Sequence, residues 1–172
     1  MKKALFLDRD GVININHGYV SKIENLEFVD GIHDLVARAL QKDYILVIVT
    51  NQSGIARKYF TEADFHKFME HMIDDLLQGS RHSISYYFDA THPQINGPSF
   101  SRKPNPGMFL DARRDLDIDM SCSLLIGDNM SDIDAGAQAG VSNLYLLGNI
   151  FQQGEPRDFT YQIISSLSEV DL

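Results

Sequence analysis

Two aspartates separated by one residue, Asp8 and Asp10, follow the apolar run Ala4 to Leu7 and open onto Gly11. An apolar run of this length reads as a buried strand, and the glycine is the turn signal that stops it. Side chains alternate in extended chain, so Asp8 and Asp10 are expected on one side and Arg9 on the other. Two acids aimed together at a buried strand end are costly unless a cation or a proton lies between them, which points to a metal site. Further polar stretches offer complementary groups: Val49-Thr50-Asn51, Lys103-Pro104, and the run from Gly127 through Asp128, Asn129 and Ser131 to Asp132. Carboxylates, a hydroxyl with an amide, and a cation are what phosphoryl transfer needs. One carboxylate attacks phosphorus, and a second acid protonates the leaving oxygen and then activates water. Mg2+ suits one or two carboxylates plus phosphate oxygens. A lysine, a hydroxyl and backbone N–H groups stabilise the transferring charge.

The elements that must position these groups follow from the pattern. Asp30 can cap a helix through Lys42, with Ile32, Leu35, Val36, Ala39 and Leu40 on one face. Tyr44 to Val49 reads as a second buried strand, ending in Thr50-Asn51-Gln52-Ser53-Gly54. Thr61 with Asp64 forms a capping box for a helix carrying Phe65, Phe68, Met69, Met72, Ile73 and Leu76, closed by Gly79. Ile84 to Phe88 is a third strand. Asn105 and Pro106 make an N-cap and first-turn pair for a helix to Leu116. Ser123 to Ile126 is a fourth strand; Ser131 and Asp134 can box a short helix that Gly140 closes. Asn143 to Leu147 is a fifth strand, and Tyr161 to Leu167 reads as a last helix. Two long loops, Val12 to Val29 and Asp89 to Pro106, lack a period, and loops of that length inside a compact domain are usually functional. Alternating strands and helices argue an α/β, Rossmann-like parallel sheet flanked by helices, with a site beyond the carboxyl ends of the strands.

The chain has 172 residues, which fits one domain spanning 1–172 and can bury roughly 70% of its unfolded surface. A net charge of −9 argues against non-specific binding to nucleic acid or anionic membranes. No run of eighteen apolar residues and no signal-peptide pattern is present, so a cytoplasmic protein is expected. Cys122 is the single cysteine, which excludes a disulfide framework and a thiolate metal cage. Each singled-out residue also has a plainer reading. Asp128 and Asp132 suit a helix N-terminus, Lys103 a solvated loop, Thr50 a turn after a strand, and Asp134 a cap. His17 and His92 read as loop residues rather than ligands.

In this order the four polar stretches resemble the haloacid dehalogenase superfamily of aspartate-nucleophile phosphatases. Asp8-Arg9-Asp10-Gly11-Val12-Ile13-Asn14, Asn16-His17-Gly18-Tyr19-Val20, Thr50-Asn51-Gln52-Ser53-Gly54-Ile55-Ala56-Arg57 and Arg102-Lys103-Pro104-Asn105-Pro106-Gly107-Met108 are more closely similar to the D-glycero-D-manno-heptose 1,7-bisphosphate 7-phosphatase family. Histidinol-phosphate phosphatases share much of the pattern. The resemblance implies a sheet of this superfamily with no large cap domain, and a phosphoric monoester hydrolase acting on a sugar bisphosphate in nucleotide-heptose biosynthesis for lipopolysaccharide or another surface glycan. It implies Asp8 as nucleophile and Asp10 as general acid and base. Asp8, Asp128 and the backbone carbonyl of Asp10 would hold Mg2+, with Asp132 orienting that shell. Thr50 and Lys103 would stabilise the phosphoryl group. Asn16, His17, Gly18, Tyr19, Asn51, Gln52, Ser53, Arg102 and Asn129 would meet the substrate, a small sugar phosphate bound by a monomer.

The chain departs from that pattern at two places. Family members usually carry a structural zinc held by three cysteines and a histidine, and the matching positions here are Asp89, Thr91, Ser99 and Ser101. No cysteine lies in this loop, so structural zinc is expected to be absent. Asn129 stands where a basic residue often follows the metal aspartate. Arg102 suits the second phosphate of a bisphosphate and gains nothing from the amine of histidinol phosphate. A receiver-type signalling module also joins aspartate, threonine, lysine and Mg2+, but its phosphorylated aspartate follows the third strand, where Phe88-Asp89 lacks the supporting pattern.

Overall fold

In the computed structural model, which describes residues 1–148 and 158–172, Ala4–Leu7 form β1 without any exposed surface. The strands that follow are β2 (Ile45–Asn51), β3 (Ile84–Asp89), β4 (Leu124–Gly127), β5 (Asn143–Leu147) and β6 (Gln162–Ile164). They make one six-stranded sheet in the order β3-β2-β1-β4-β5-β6, with every neighbouring pair parallel. The helices are α1 (Ile32–Gln41), α2 (Glu62–Leu77), the one-turn α3 (Pro93–Asn96), α4 (Gly107–Leu116) and α5 (Met130–Ala139). The chain runs outward from β1 to β3 and then returns to β4 beside β1. That reversal opens a crevice beyond the carboxyl ends of β1 and β4, where open α/β sheets bind ligands.

Strand alternation sorts the core into two layers. Leu5, Leu7, Leu46 and Ile48 face α1 and α2, among Leu35, Val36, Phe65, Phe68 and Met72. Ala4, Phe6, Val47 and Val49 face α4 and α5, among Met108, Phe109, Ala112 and Ile133. Phe6 and Phe109 pack with ring centroids 5.1 Å apart; truncating either to alanine costs about 3–5 kcal/mol. Both faces of β1 and β4 are thus buried, which is why these strands are apolar throughout.

Several boundaries differ from the sequence expectation for identifiable reasons. Gly31, at φ 82°, is the N-cap of α1 in place of Asp30, and the helix starts one residue later, at Ile32. The Thr61–Asp64 capping box of α2 forms, but Gln78 is the left-handed C-cap, one residue before Gly79. Asn105 does not cap α4: its amide donates to the Ser99 carbonyl, and Pro106 takes the cap position. α5 is boxed by Asn129 and Asp132, and not by Ser131 and Asp134. β2 and β3 run on to Asn51 and Asp89, because their polar ends still pair with each other in register. The expected helix from Tyr161 to Leu167 is instead β6 followed by a 3₁₀ turn, Leu167–Glu169. β6 pairs with the edge of β5, with Ile164 in one core layer and Ile163 packed on the other. That pairing overrides a weak helical pattern.

Candidate active site

Asp8 leaves β1 with its backbone N–H still bonded to the Ile126 carbonyl at 3.0 Å. It therefore stands next to the end of β4, from which Asp128 emerges. The turn between them is tight. Gly11 lies at φ +91°, and a Cβ there would sit 2.0 Å from Asp128 Oδ2. A Cβ on Gly127 would meet the Asp132 Cβ at 2.3 Å. These two glycines let β1, β4 and α5 bring their acids together. Oxygen atoms of Asp8, Asp128 and Asp132 all lie within 4.8 Å of one another.

Lys103 enters this cluster from the long loop after β3 and is 4% exposed. Its Nζ lies 2.8 Å from Asp8 Oδ1 and 2.5 Å from Asp132 Oδ1, and donates to the Val49 carbonyl at 2.8 Å. A solvated loop lysine is thus not what the chain builds. Asn51 fixes the lysine's backbone from both sides, accepting from its N–H at 3.1 Å and donating to its carbonyl at 3.0 Å. Thr50 is buried at the end of β2, its hydroxyl accepting from Gln52 Nε2 at 2.8 Å.

The charges do not balance. Burial alone would lower the Lys103 pKa, but Asp132 and Asp8 outweigh it and hold the ammonium above the ordinary lysine value. Burial pushes the Asp8 carboxyl up to about 8; Lys103 opposes the shift, and Asp132 and Asp128 add to it. Asp128 rises to about 6, chiefly through burial and the Asp132 charge. The two partners of the Lys103–Asp8 pair thus pull in opposite senses. Lys103 favours an anionic partner, while the crowding of acids favours a proton on one of them. One ammonium cannot offset three carboxylates, and the surplus of two negative charges fits a divalent cation bound by oxygen ligands.

The Asp10 carboxylate is engaged elsewhere. Arg9 does not turn away from it, as alternation suggested, because the strand has already ended at Leu7. With no exposed surface, Arg9 donates to both Asp10 oxygens, its Nη2 at 2.8 and 2.7 Å and its Nε at 3.1 Å. Its guanidinium lies 5.0 Å from the Phe68 ring centroid. Asn14 and Gln52 add hydrogen bonds to Asp10 at 3.1 and 3.0 Å. A buried arginine is neutralised here by its own neighbour, so the strand-end acids do not depend on one shared cation.

These groups line a cleft of about 360 Å³. Asp8, Asp10, Lys103, Asp128 and Asp132 line it together with Thr50, Asn51, Gln52 and Ser53 from the end of β2 and Asn16, Gly18 and Tyr19 from the loop after β1. Asn129 is also at the cleft, with its side chain occupied as the α5 cap. Two expected residues lie apart from it. His17 pairs with Glu27 at 3.0 Å, and Arg102 donates to the Thr91 carbonyl at 2.9 Å. Gly54 and Ser131, part of the polar stretches but given no site role from sequence, also line the cleft. Gly54 belongs to the polar run after β2, where a Cβ would strike the Phe60 ring at 2.3 Å.

The loop after β3 is tied by its own polar side chains. Asp89 accepts from the Thr91 hydroxyl and, at 2.9 Å, from the Thr91 N–H. It also accepts from the Ser99 hydroxyl at 2.5 Å, and Ser99 Oγ accepts from Ser101 N–H at 3.2 Å. The positions matched to a zinc-binding set are thus joined by hydrogen bonds.

Comparison with known proteins fits this geometry. The chain is 44% identical over 153 residues to the D-glycero-alpha-D-manno-heptose-1,7-bisphosphate 7-phosphatase of Campylobacter jejuni, covering 89% of this chain and 87% of the relative. The chain belongs to the heptose-bisphosphate phosphatase family. It is a phosphoric monoester hydrolase of the haloacid dehalogenase superfamily, and the HAD-hydrolase-like family model matches residues 100–170. The D-glycero-beta-D-manno-heptose-1,7-bisphosphate 7-phosphatase of an Escherichia coli strain is 45% identical over 149 residues, with 84% of this chain and 78% of the relative covered. A crystal structure of D,D-heptose 1,7-bisphosphate phosphatase from B. bronchiseptica, complexed with magnesium and phosphate, superposes with a TM-score of 0.84. It is 30% identical and covers 96% of this chain and 94% of its own. Among its described residues the chain has no large cap domain, and loops at the sheet's end line the cleft. No helix among those residues is long and apolar enough to cross a membrane.

Proposed function

We propose that the protein removes the C7 phosphate of a D-glycero-D-manno-heptose 1,7-bisphosphate through a phosphoryl-aspartate at Asp8. The observation that carries this reading is the meeting of Asp8, Lys103 and Asp128, from three separate segments, in one cleft. An Asp8 oxygen attacks phosphorus as the C7 oxygen leaves with a proton from Asp10. Water then attacks phosphorus, Asp10 takes the proton back, and phosphate departs with Asp8 restored. To serve as the acid, Asp10 turns from Arg9 toward the cleft, which its partly exposed side chain permits. Lys103 aligns Asp8 and, with the Thr50 hydroxyl, faces the transferring oxygens. Asp8, Asp128 and the Asp10 carbonyl would hold Mg2+, which when bound supplies positive charge to the acids and the phosphoryl group.

Substrate choice is tested by comparing kcat/KM. The bisphosphate is expected to exceed histidinol phosphate by about 10²-fold, since the cationic amine of histidinol phosphate gains nothing from the Arg102 guanidinium. A ratio favouring histidinol phosphate overturns the substrate and leaves the phosphatase chemistry standing.

The raised pKa values give a further expectation. In the metal-free fold Asp128 and Asp8 keep their protons up to about 6 and about 8, against an ordinary value of 3.8. The folded chain therefore binds more protons than the unfolded one across that window, and its metal-free stability falls as pH rises through it. A cation that replaces those protons stabilises more at high pH. Mg2+ should raise Tm more at pH 8 than at about pH 5.5; equal shifts at both would contradict the assigned ligands.

A further inference from the structure

Gln52 directly follows β2, buried in the wall of the cleft between Thr50 and Asp10. Its backbone is held on both sides. Its N–H donates to the Asp89 carbonyl at 2.7 Å, and its carbonyl accepts from the Ile55 N–H at 3.2 Å. Its side-chain Nε2 donates to Asp10 Oδ2 at 3.0 Å and to Thr50 Oγ1 at 2.8 Å. An amide nitrogen has two N–H groups, so both are spent inside the protein. The sequence resemblance gives Gln52 a contact with substrate, yet its amide nitrogen has no donor left to offer one.

Asp10 decides which way this amide is turned. Arg9 donates to both Asp10 oxygens, so that side chain is a carboxylate and only accepts. Turning the amide over would set its oxygen against Oδ2, acceptor against acceptor, in a site with little access to water. The nitrogen therefore faces Asp10, and the same nitrogen faces Thr50. That fixes the Thr50 hydroxyl. Its oxygen accepts from Gln52, so its single proton points elsewhere, and no described residue accepts it in a hydrogen bond. Thr50 lines the cleft. Its proton is left for a cleft occupant with acceptor oxygens, which is what a phosphoryl group offers.

We infer that Gln52 is a positioning residue: anchored on the Asp10 carboxylate, it makes the Thr50 hydroxyl a donor toward the transferring phosphoryl oxygens. The inference rests on the phosphatase reading above and adds how one of its donors is prepared. The preparation precedes substrate binding, and a donor already aimed at developing charge costs no reorganisation during the reaction.

A double-mutant cycle between Gln52 and Thr50 tests this. Thr50→Val should lower kcat about 10²-fold, the scale for losing one such donor. Gln52→Met keeps similar volume and donates nothing; it should lower kcat about tenfold with KM within about threefold of wild type. Gln52→Glu should fall further, because its carboxylate draws the Thr50 proton to itself; being nearly isosteric, it keeps the test open if Gln52→Met folds poorly. In the Thr50→Val background Gln52→Met should cost less than about twofold more, since the hydroxyl it directs is gone. Equal losses in both backgrounds would overturn the inference, and so would a Gln52→Glu enzyme within twofold of wild type. The cycle is run on heptose 1,7-bisphosphate and on p-nitrophenyl phosphate, because the Thr50 hydroxyl meets the phosphoryl group and not the sugar. Coupling with p-nitrophenyl phosphate but no hydrolysis of the bisphosphate would overturn the substrate and support the role of Gln52. Release of phosphate from neither would overturn the phosphatase reading, and the inference with it.

Discussion

Asp8→Asn should lower phosphate release by about 10⁴-fold or more, the scale seen when a nucleophile is removed. The amide is nearly isosteric but cannot attack phosphorus, and phosphate monoesters have among the largest uncatalysed barriers. The fold should survive. Asp8 belongs to a cluster with more carboxylates than cations, and burial already pushes it toward its neutral form. Removing one negative charge from that cluster relieves repulsion, so metal-free Tm at pH 8 should stay equal or rise. Steady-state assays with a melting curve decide the matter. Activity within tenfold of wild type would remove Asp8 as nucleophile.

Lys103→Met should be nearly as severe, by two routes. Methionine fills similar volume with an apolar chain, so packing is largely kept while the charge is lost. Breaking a buried pair leaves its partners uncompensated, at a cost of about 3–5 kcal/mol; here Asp8 and Asp132 are both stranded. Transition-state charge also loses its fixed donor, worth about 10²–10³ in kcat. Saturating Mg2+ should recover part of the stability, because it supplies charge to the same acids. It should not recover kcat, because it does not replace the ammonium that aligns Asp8. Recovery of kcat to within threefold at high Mg2+ would mean Lys103 only balances charge.

How much of this was legible depended on whether a group's position is set by its own strand. Asp8, Thr50 and Asp128 stand where apolar runs stop, and in a parallel sheet every such stop falls on the same edge. Sequence order and strand pattern therefore suffice to bring them together. Lys103 was legible as a cation after the third strand, but not as a buried one. Its depth comes from the backbone clamp of Asn51, a contact across 52 positions. Arg9 was misjudged because alternation was extended past the last strand residue into a turn. Asn129 and Asp132 were read as site residues, and both also cap α5, since a helix N-terminus at a strand end places capping and binding groups together. Arg57 and His92 meet because the loops that follow β2 and β3 approach each other. No local period encodes that. The hydrogen bonds among Asp89, Thr91 and Ser99 were equally invisible, since hydroxyls in a loop signal a turn as readily as a partner.

The most direct test of the central claim is to trap the phosphorylated enzyme. Wild-type protein turning over heptose 1,7-bisphosphate is quenched in acid, digested and examined by mass spectrometry. The account predicts one phosphoryl group on the peptide that contains Asp8, removed by hydroxylamine and missing from Asp8→Asn. Steady turnover with that peptide unmodified, or with the phosphoryl group on the peptide containing Asp128, would contradict it.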